Sequence, residues 1–246
     1  MPAQANVLAD ATVTSTYVVA TMREDVQSLL VVYDLSGKLA KTLALPEFAN
    51  VTGIVYDIHA DRAYATVASF TSPYKVWAFD GKSLAWERVW QDDPPLDLSA
   101  IIAKRVYVKA RDGASIPVFI AHRKDLAQDG ANPTLLHVYG GFNVTVEPFY
   151  LGSYSSFVNR GGVFVDAGVR GGGEYGEKWH EQGMLASKQT TFDDTIAVAE
   201  WLVRERYTSP AKLAVQGGSN GGLTVGAVIT QRPDLFRAAI CQVPLL

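Results

Sequence analysis

Leu213-Ala214-Val215-Gln216-Gly217-Gly218-Ser219-Asn220-Gly221-Gly222-Leu223 runs from a short apolar strand through a glycine-crowded turn with one serine into a small-residue helix. Gly217, Ser219 and Gly221 fit the G-x-S-x-G pattern of a nucleophile elbow. A strand that reverses straight into a helix leaves no room for side chains beside the serine, so the flanking residues are glycine and the hydroxyl is forced outward. The same turn aims the first unpaired N–H groups of the helix at the place where acyl transfer develops negative charge. So short a pattern also arises by chance, and glycines around a serine can be a flexible loop and nothing more. Context favours the elbow: Leu213 to Gln216 follows a helix-like run, and Leu223 to Gln231 is apolar and free of proline.

Working outward, the 246 residues with 48% hydrophobic content are enough to bury a sizeable core, in one large domain or two. A formal net charge of -3 without a Lys/Arg cluster argues against a nucleic-acid surface. No apolar run reaches the roughly 18 residues of a membrane span. Residues 1–10 carry neither a basic leader nor an apolar core, so no signal peptide is expected and a cytoplasmic location is favoured. The single cysteine, Cys241, excludes an internal disulfide; lying in an apolar run, it is expected to be a buried structural thiol.

From residue 12 to about residue 93 the pattern is a succession of short strands: Val13 to Ala20, Ser28 to Asp34, Leu39 to Leu45, Val51 to Ile58, Arg62 to Phe70, Tyr74 to Phe79 and Leu84 to Trp90. Ser36-Gly37-Lys38, His59-Ala60-Asp61 and Asp80-Gly81-Lys82 read as hairpin turns. Val31-Val32-Tyr33-Asp34 resembles Trp77-Ala78-Phe79-Asp80, and the two are set 46 residues apart, about one propeller blade. The strands therefore predict the last blades of an all-β propeller, with a small two-sheet sandwich as the alternative that spacing alone permits.

Asp92-Asp93-Pro94-Pro95 breaks the pattern and divides the chain into residues 1–95, the blades, and residues 96–246, the first half of a catalytic domain. Beyond it, Arg105 to Ala110 and Ser115 to His122 flank Arg111-Asp112-Gly113 as a hairpin. Thr134 to Tyr139, Gly162 to Asp166, Leu213 to Gln216 and Ala238 to Val243 are short continuous apolar runs, as in parallel strands buried on both faces. A helix is predicted over Phe192 to Arg206 with Ile196, Ala199, Trp201 and Leu202 on its buried face and Thr191 with Asp194 as its cap. Strand, helix, strand, elbow serine, helix and strand form part of an α/β-hydrolase, a mostly parallel sheet with flanking helices. Its open edge is expected to make the isolated chain poorly soluble.

Several motifs compete for function. Gly171-Gly172-Gly173-Glu174-Tyr175-Gly176 matches the dinucleotide pattern G-x-G-x-x-G, with Asp193 and Asp194 about 20 residues on; however, it does not open a helix directly, and Glu174 would crowd a pyrophosphate. No cofactor is expected. His180-Glu181-Gln182-Gly183-Met184 puts Met184 where a zinc-protease helix needs its second histidine, so no metal is expected either. The four histidines, His59, His122, His137 and His180, are assigned structural roles. The glycine loop after Thr134 to Tyr139 is placed to supply a second oxyanion donor, and the Tyr139 hydroxyl is either that donor or part of a strand-end aromatic. In this fold the triad acid and histidine follow the serine, yet no histidine follows Ser219 and the one acid there, Asp234, reads as a turn residue. The chain by itself is expected to be inactive.

Tyr139-Gly140-Gly141-Phe142-Asn143, Arg170-Gly171-Gly172-Gly173-Glu174-Tyr175-Gly176 with Trp179-His180, Thr208-Ser209-Pro210, Gly217-Gly218-Ser219-Asn220-Gly221-Gly222 and Gln231-Arg232-Pro233-Asp234-Leu235-Phe236 together resemble the prolyl oligopeptidase family of serine peptidases. The resemblance implies Ser219 as nucleophile, the Asn220 N–H and the Tyr139 hydroxyl as oxyanion donors, and Phe142 and Leu245 as walls of a proline-accepting pocket. It implies short peptides as substrates, cleaved after proline, and a monomeric parent. An esterase or a peptidase of other specificity on the same fold, and a non-catalytic propeller-containing interaction protein, stand as alternatives.

Overall fold

The computed structural model describes residues 6–94 and 96–245. Residues 1–5, 95 and 246 lie outside the described residues, and with them the start of the leader reading and the last proline of the Asp92-Asp93-Pro94-Pro95 boundary. The chain divides into two compact units, Met1–Asp97 with Glu147–Gly152, and Leu98–Val146 with Ser153–Leu246. Among the described residues no helix is long and apolar enough to cross a membrane.

The first unit holds two four-stranded antiparallel meanders, β1 (Val7–Val13), β2 (Tyr17–Glu24), β3 (Gln27–Asp34) and β4 (Leu39–Leu43), then β5 (Asn50–Asp57), β6 (Arg62–Ser69), β7 (Ser72–Asp80) and β8 (Trp86–Gln91). The two similar segments noted in the sequence end β3 and β7, the third strand of each meander. Their turns share one chemistry. Asp34 Oδ1 accepts the N–H groups of Ser36 and Lys38 at 2.9 and 3.0 Å, and Asp80 Oδ1 those of Lys82 and Ser83, both at 2.9 Å. Such aspartate turns close hairpins by replacing a missing backbone acceptor. Leu30 and Val32 bury one face of β3 against Val51, Ala65, Val67 and Phe79 of the second meander, while Val31 buries the other with Ala20 and Met22. Burial on both faces is what stacked blades require.

The strand expected over Val13 to Ala20 is in fact the end of β1, a turn and the start of β2. Thr14 breaks it: its hydroxyl accepts the N–H groups of Thr16 and Tyr17 at 3.3 and 3.0 Å, a local closure that competes with the ladder. Within the same unit, Glu147–Gly152 is held by the Leu151 N–H on the Phe70 carbonyl at 3.3 Å and by Phe149 edge-on to the Phe70 ring at 5.6 Å.

The second unit is built on a six-stranded sheet in the order β14-β13-β11-β12-β10-β9, from β9 (Ile101–Lys109), β10 (Ser115–Arg123), β11 (Thr134–Val138), β12 (Val163–Ala167), β13 (Leu213–Gly218) and β14 (Ala238–Gln242). β11 to β14 run parallel, and the β9–β10 hairpin joins antiparallel. Leu136, Val138, Val163, Val165, Leu213 and Val215 alternate onto one face and meet Ile196, Val198, Leu202, Val225 and Val228 from α3 (Gln189–Arg204) and α4 (Asn220–Gln231). On the other face the Tyr154 ring, from α1 (Tyr154–Asn159), lies 4.7 Å from Phe164.

Three local expectations need correction. Thr191 and Asp194 do not cap α3, which begins earlier with Lys188 at its N-cap. They are buried inside its first turns, where Thr191 donates to the Arg170 and Gly183 carbonyls and Asp194 takes the Arg170 guanidinium at 2.6 and 2.8 Å. Asp194 and Asp112 hold that arginine's pKa above its usual value, keeping it charged at a buried position that tolerates no unpaired cation. Trp201 is half-buried, stacked on Tyr207 at 5.6 Å. Cys241 is exposed, because β14 is an edge strand whose five residues all face solvent.

Candidate active site

β13 ends at Gly218 and α4 starts at Asn220, so the whole reversal is made by Ser219, whose φ of 54° and ψ of -116° are far outside the regions open to ordinary L-residues. Strain of about 1–3 kcal/mol at a single non-glycine residue persists only where the surroundings impose it, and it gathers at functional positions. Here the Ser219 N–H donates to the Gln242 carbonyl at 2.9 Å, and the Ser219 carbonyl accepts from Leu223 and Leu245 at 3.1 and 3.2 Å. A Cβ on Gly221 would collide with the Val138 carbonyl oxygen, and one on Gly217 with the Gly221 carbonyl, so both glycines are dictated by packing. Nothing among the described residues hydrogen-bonds to the Ser219 hydroxyl. The first-turn N–H groups of α4, beginning with Asn220, have no carbonyl within the helix to bind and form an electropositive terminus beside it.

The loop Tyr139 to Asn143 leaves β11 alongside this terminus. The buried Asn220 side chain donates from Nδ2 to the Tyr139 carbonyl at 2.6 Å, and Thr224 Oγ1 reaches the same oxygen at 3.4 Å. A Cβ on Gly141 would run into that Asn220 amide. The Tyr139 hydroxyl has no partner among the described residues. Phe142 and Asn143 both take left-handed φ, 52° and 57°, which turns the Phe142 ring outward to 66% exposure. His180 secures the turn: its Nδ1 donates to the Gly171 carbonyl at 2.7 Å, and the same carbonyl accepts the Asn143 N–H at 3.3 Å.

Phe142, Leu245, Asn220, Leu223, Met184 and Leu185 line one cavity of about 330 Å³ together with His180, Lys188, Gly141 and Gly183. Its wall is almost wholly apolar and carries no carboxylate. Asn220, Phe142 and Leu245 thus share one hollow; Ser219 and Tyr139 do not line it, but Ser219 adjoins it through the Leu245 N–H on its carbonyl, and the Tyr139 carbonyl is held by Asn220.

The competing motifs are filled by the protein itself. Cβ atoms on Gly171, Gly172 and Gly173 would strike the Gly140 carbonyl, the Glu174 carboxyl and the Asn143 carbonyl, leaving no room for a pyrophosphate. Glu174 is buried, and desolvation lifts its pKa to about 8. His137 pairs through Nδ1 with Asp166 at 2.9 Å; burial pulls its pKa down, but the carboxylate outweighs this and leaves it raised. His122 bonds the Arg123 carbonyl, and burial lowers its pKa. Among the described residues no three of His, Cys, Asp and Glu gather as a metal site.

Sequence reading passed over Lys188. Its Nζ reaches the Gly140 carbonyl at 2.6 Å, and desolvation lowers its pKa to about 8. The sequence offers no signal for it, since its pattern starts the helix at Phe192 with Thr191 as the cap, and only the fold sets Lys188 at the head of α3.

A family model described as the prolyl oligopeptidase family matches residues 149–246, and one described as the N-terminal beta-propeller domain of prolyl oligopeptidase matches residues 1–91. The second match decides for propeller blades over a sandwich. The prolyl endopeptidase of Elizabethkingia miricola is 35% identical over 233 residues, 94% of this chain and 33% of its own length. That of Dictyostelium discoideum is 37% identical over 231 residues, 91% of this chain and 30% of its own. A solved structure from a structural and mechanistic study of two prolyl endopeptidases aligns with a TM-score of 0.95 at 39% identity, over 99% of this chain and 36% of that one. The chain spans about a third of the length of the relatives it matches.

Proposed function

Because the chain belongs to the prolyl oligopeptidase family, we propose that it carries the nucleophile and oxyanion half of a serine peptidase that cleaves short peptides after proline. The observation that carries this reading is the strained Ser219 between β13 and α4. Its hydroxyl attacks the scissile carbonyl and forms an acyl-enzyme as the C–N bond breaks, the hydroxyl proton passing by way of the general base to the departing amine. The Asn220 N–H and the Tyr139 hydroxyl take the negative charge on the carbonyl oxygen, at a site where preorganised donors contribute most. Phe142 and Leu245 wall the hollow that accepts the proline ring. An apolar lining without a carboxylate, and with a lysine, favours proline over a basic side chain.

Each histidine has a local role: His122, His137 and His180 bond the partners above, and His59 belongs to the turn after β5. The general base and its acid are therefore assigned to sequence outside these 246 residues, and the chain alone is expected to turn over at least about 10⁴-fold more slowly than the full-length protein. The test is Ser219→Ala in the full-length protein that carries this sequence, assayed on a short proline-containing peptide, an arginine-containing peptide and a simple ester. Loss of proline-peptide hydrolysis with the fold intact is the expected result. Unchanged hydrolysis would remove Ser219 from the mechanism, and a preference for the arginine peptide or the ester would replace the specificity.

A further inference from the structure

Lys188 stands where local energetics disfavour it. It sits between the one-turn 3-10 helix Leu185–Ser187 and the 16-residue α3, and it makes no side-chain capping bond. Its positive charge also meets the positive end of the helix macrodipole. A lysine is nevertheless held at this point with its ammonium group folded inward, half-buried at the edge of the cavity, on the Gly140 carbonyl oxygen at 2.6 Å.

That carbonyl lies in the loop that the proposed reaction depends on. Gly140 follows Tyr139 and precedes Gly141 and Phe142, so it joins the oxyanion donor to the pocket wall. Its own φ is 64°, and a Cβ there would collide with the Thr191 and Val169 side chains, so the chain can take this path only as glycine. Two neighbouring carbonyls of one glycine turn are thus fixed from two elements: Tyr139 by Asn220 of α4, and Gly140 by Lys188 at the head of α3.

We propose that Lys188 is a positioning residue for the reaction, one that locks the Gly140 peptide so that the Tyr139 hydroxyl and the Phe142 ring are presented to the substrate together. Its ammonium group is engaged on the Gly140 carbonyl at the rim of the hollow, and in this role it acts through the loop and not on the reacting atoms. This rests on the peptidase reading above. A charged donor on a carbonyl in a water-poor site is stronger than a neutral one, which is why a lysine and not a glutamine serves here. The depression of its pKa to about 8 has one cause, desolvation, and fits an ammonium group drawn out of water by this contact.

The experiment compares Lys188→Met, Lys188→Arg, Tyr139→Phe and the Lys188→Met/Tyr139→Phe double variant in the full-length protein, with Ser219→Ala alongside. Lys188→Met is expected to lose about 10- to 100-fold in kcat, the scale of a donor misplaced by about 1 Å, while Lys188→Arg, which keeps the charge and the donor, recovers most of it. Because Lys188 works through Tyr139, the double variant is expected to be little worse than the poorer single one. Additive losses in the double variant, or a wild-type kcat in Lys188→Met, would overturn the inference. So would a Lys188→Met protein without a cooperative unfolding transition, since that would assign Lys188 to the fold and not to the loop. Hydrolysis surviving in Ser219→Ala would instead strike the peptidase reading, so the two failures are told apart.

Discussion

Glutamate in a run of glycines offers the most quantitative test of this structure. Glu174 is 3% exposed; its Oε1 accepts the Val146 N–H at 2.8 Å, and the buried Trp179 indole N–H lies close enough to the carboxyl to favour its charged form weakly. Burial raises its pKa from 4.5 to about 8, so the native state keeps a proton that the unfolded chain gives up. The sign follows directly. Below about pH 4.5 both states hold the proton and the site costs nothing. Through the window up to about pH 8 the unfolded state binds fewer protons than the native, so stability falls as pH rises and the loss is complete above the folded value. Each pH unit of that window is worth about 1.4 kcal/mol, so the whole is worth at most about 5 kcal/mol. Glu174→Gln keeps the shape and the acceptor for Val146 but does not ionise. Urea unfolding followed by tryptophan fluorescence is expected to give equal stabilities near pH 4.5 and a variant more stable by about 3–5 kcal/mol near pH 8. Shifts at His122 and His137 occur in both proteins and cancel in the difference. A difference that stays flat with pH would refute the assignment of a neutral buried carboxyl.

Two further perturbations probe the elbow and its neighbour. Asn220→Asp replaces the donor on the Tyr139 carbonyl with a carboxylate while leaving the backbone N–H in place, and Asn220→Ala simply deletes it; kcat of the full-length protein on a proline peptide is expected to fall about 10-fold for alanine and further for aspartate, since an unpaired buried group costs about 1–3 kcal/mol. Equal kcat in all three proteins would detach the Asn220 side chain from catalysis. Gly221→Ala drives a Cβ into the Val138 carbonyl and is expected to destabilise by about 1–3 kcal/mol. Gly226→Ala, five residues along the same helix with nothing within 4 Å of a new Cβ, is expected to stabilise by up to about 1 kcal/mol in the same thermal melts.

The features legible in the sequence are those for which the backbone itself demands a residue type. A strand-to-helix reversal admits only glycine around Ser219, and an aspartate-closed hairpin repeats its chemistry at Asp34 and Asp80, so the elbow and the tandem blades could be read without coordinates. Residues that hold other residues were not legible this way, because their partners come from distant chain. Thr191 and Asp194 look like a cap until Arg170 arrives, 24 residues before Asp194, and a buried guanidinium outbids any helix terminus for a carboxylate. Cys241 sits in an apolar run, yet burial depends on a neighbouring strand and β14 is at the edge. What such residues leave in the sequence is a local misfit. Glu174 interrupts glycines with an ionisable group, Thr191 occupies a helix interior for which serine and threonine are poorly suited, and Lys188 sets a cation at the N-terminal end of α3. Each misfit has a tertiary partner beside the glycine loops at Gly140 or Gly171 to Gly173. A local rule broken without a local reward is the sequence trace of a residue that serves a neighbouring loop, and in this chain those traces converge on the turn that carries Tyr139 and Phe142.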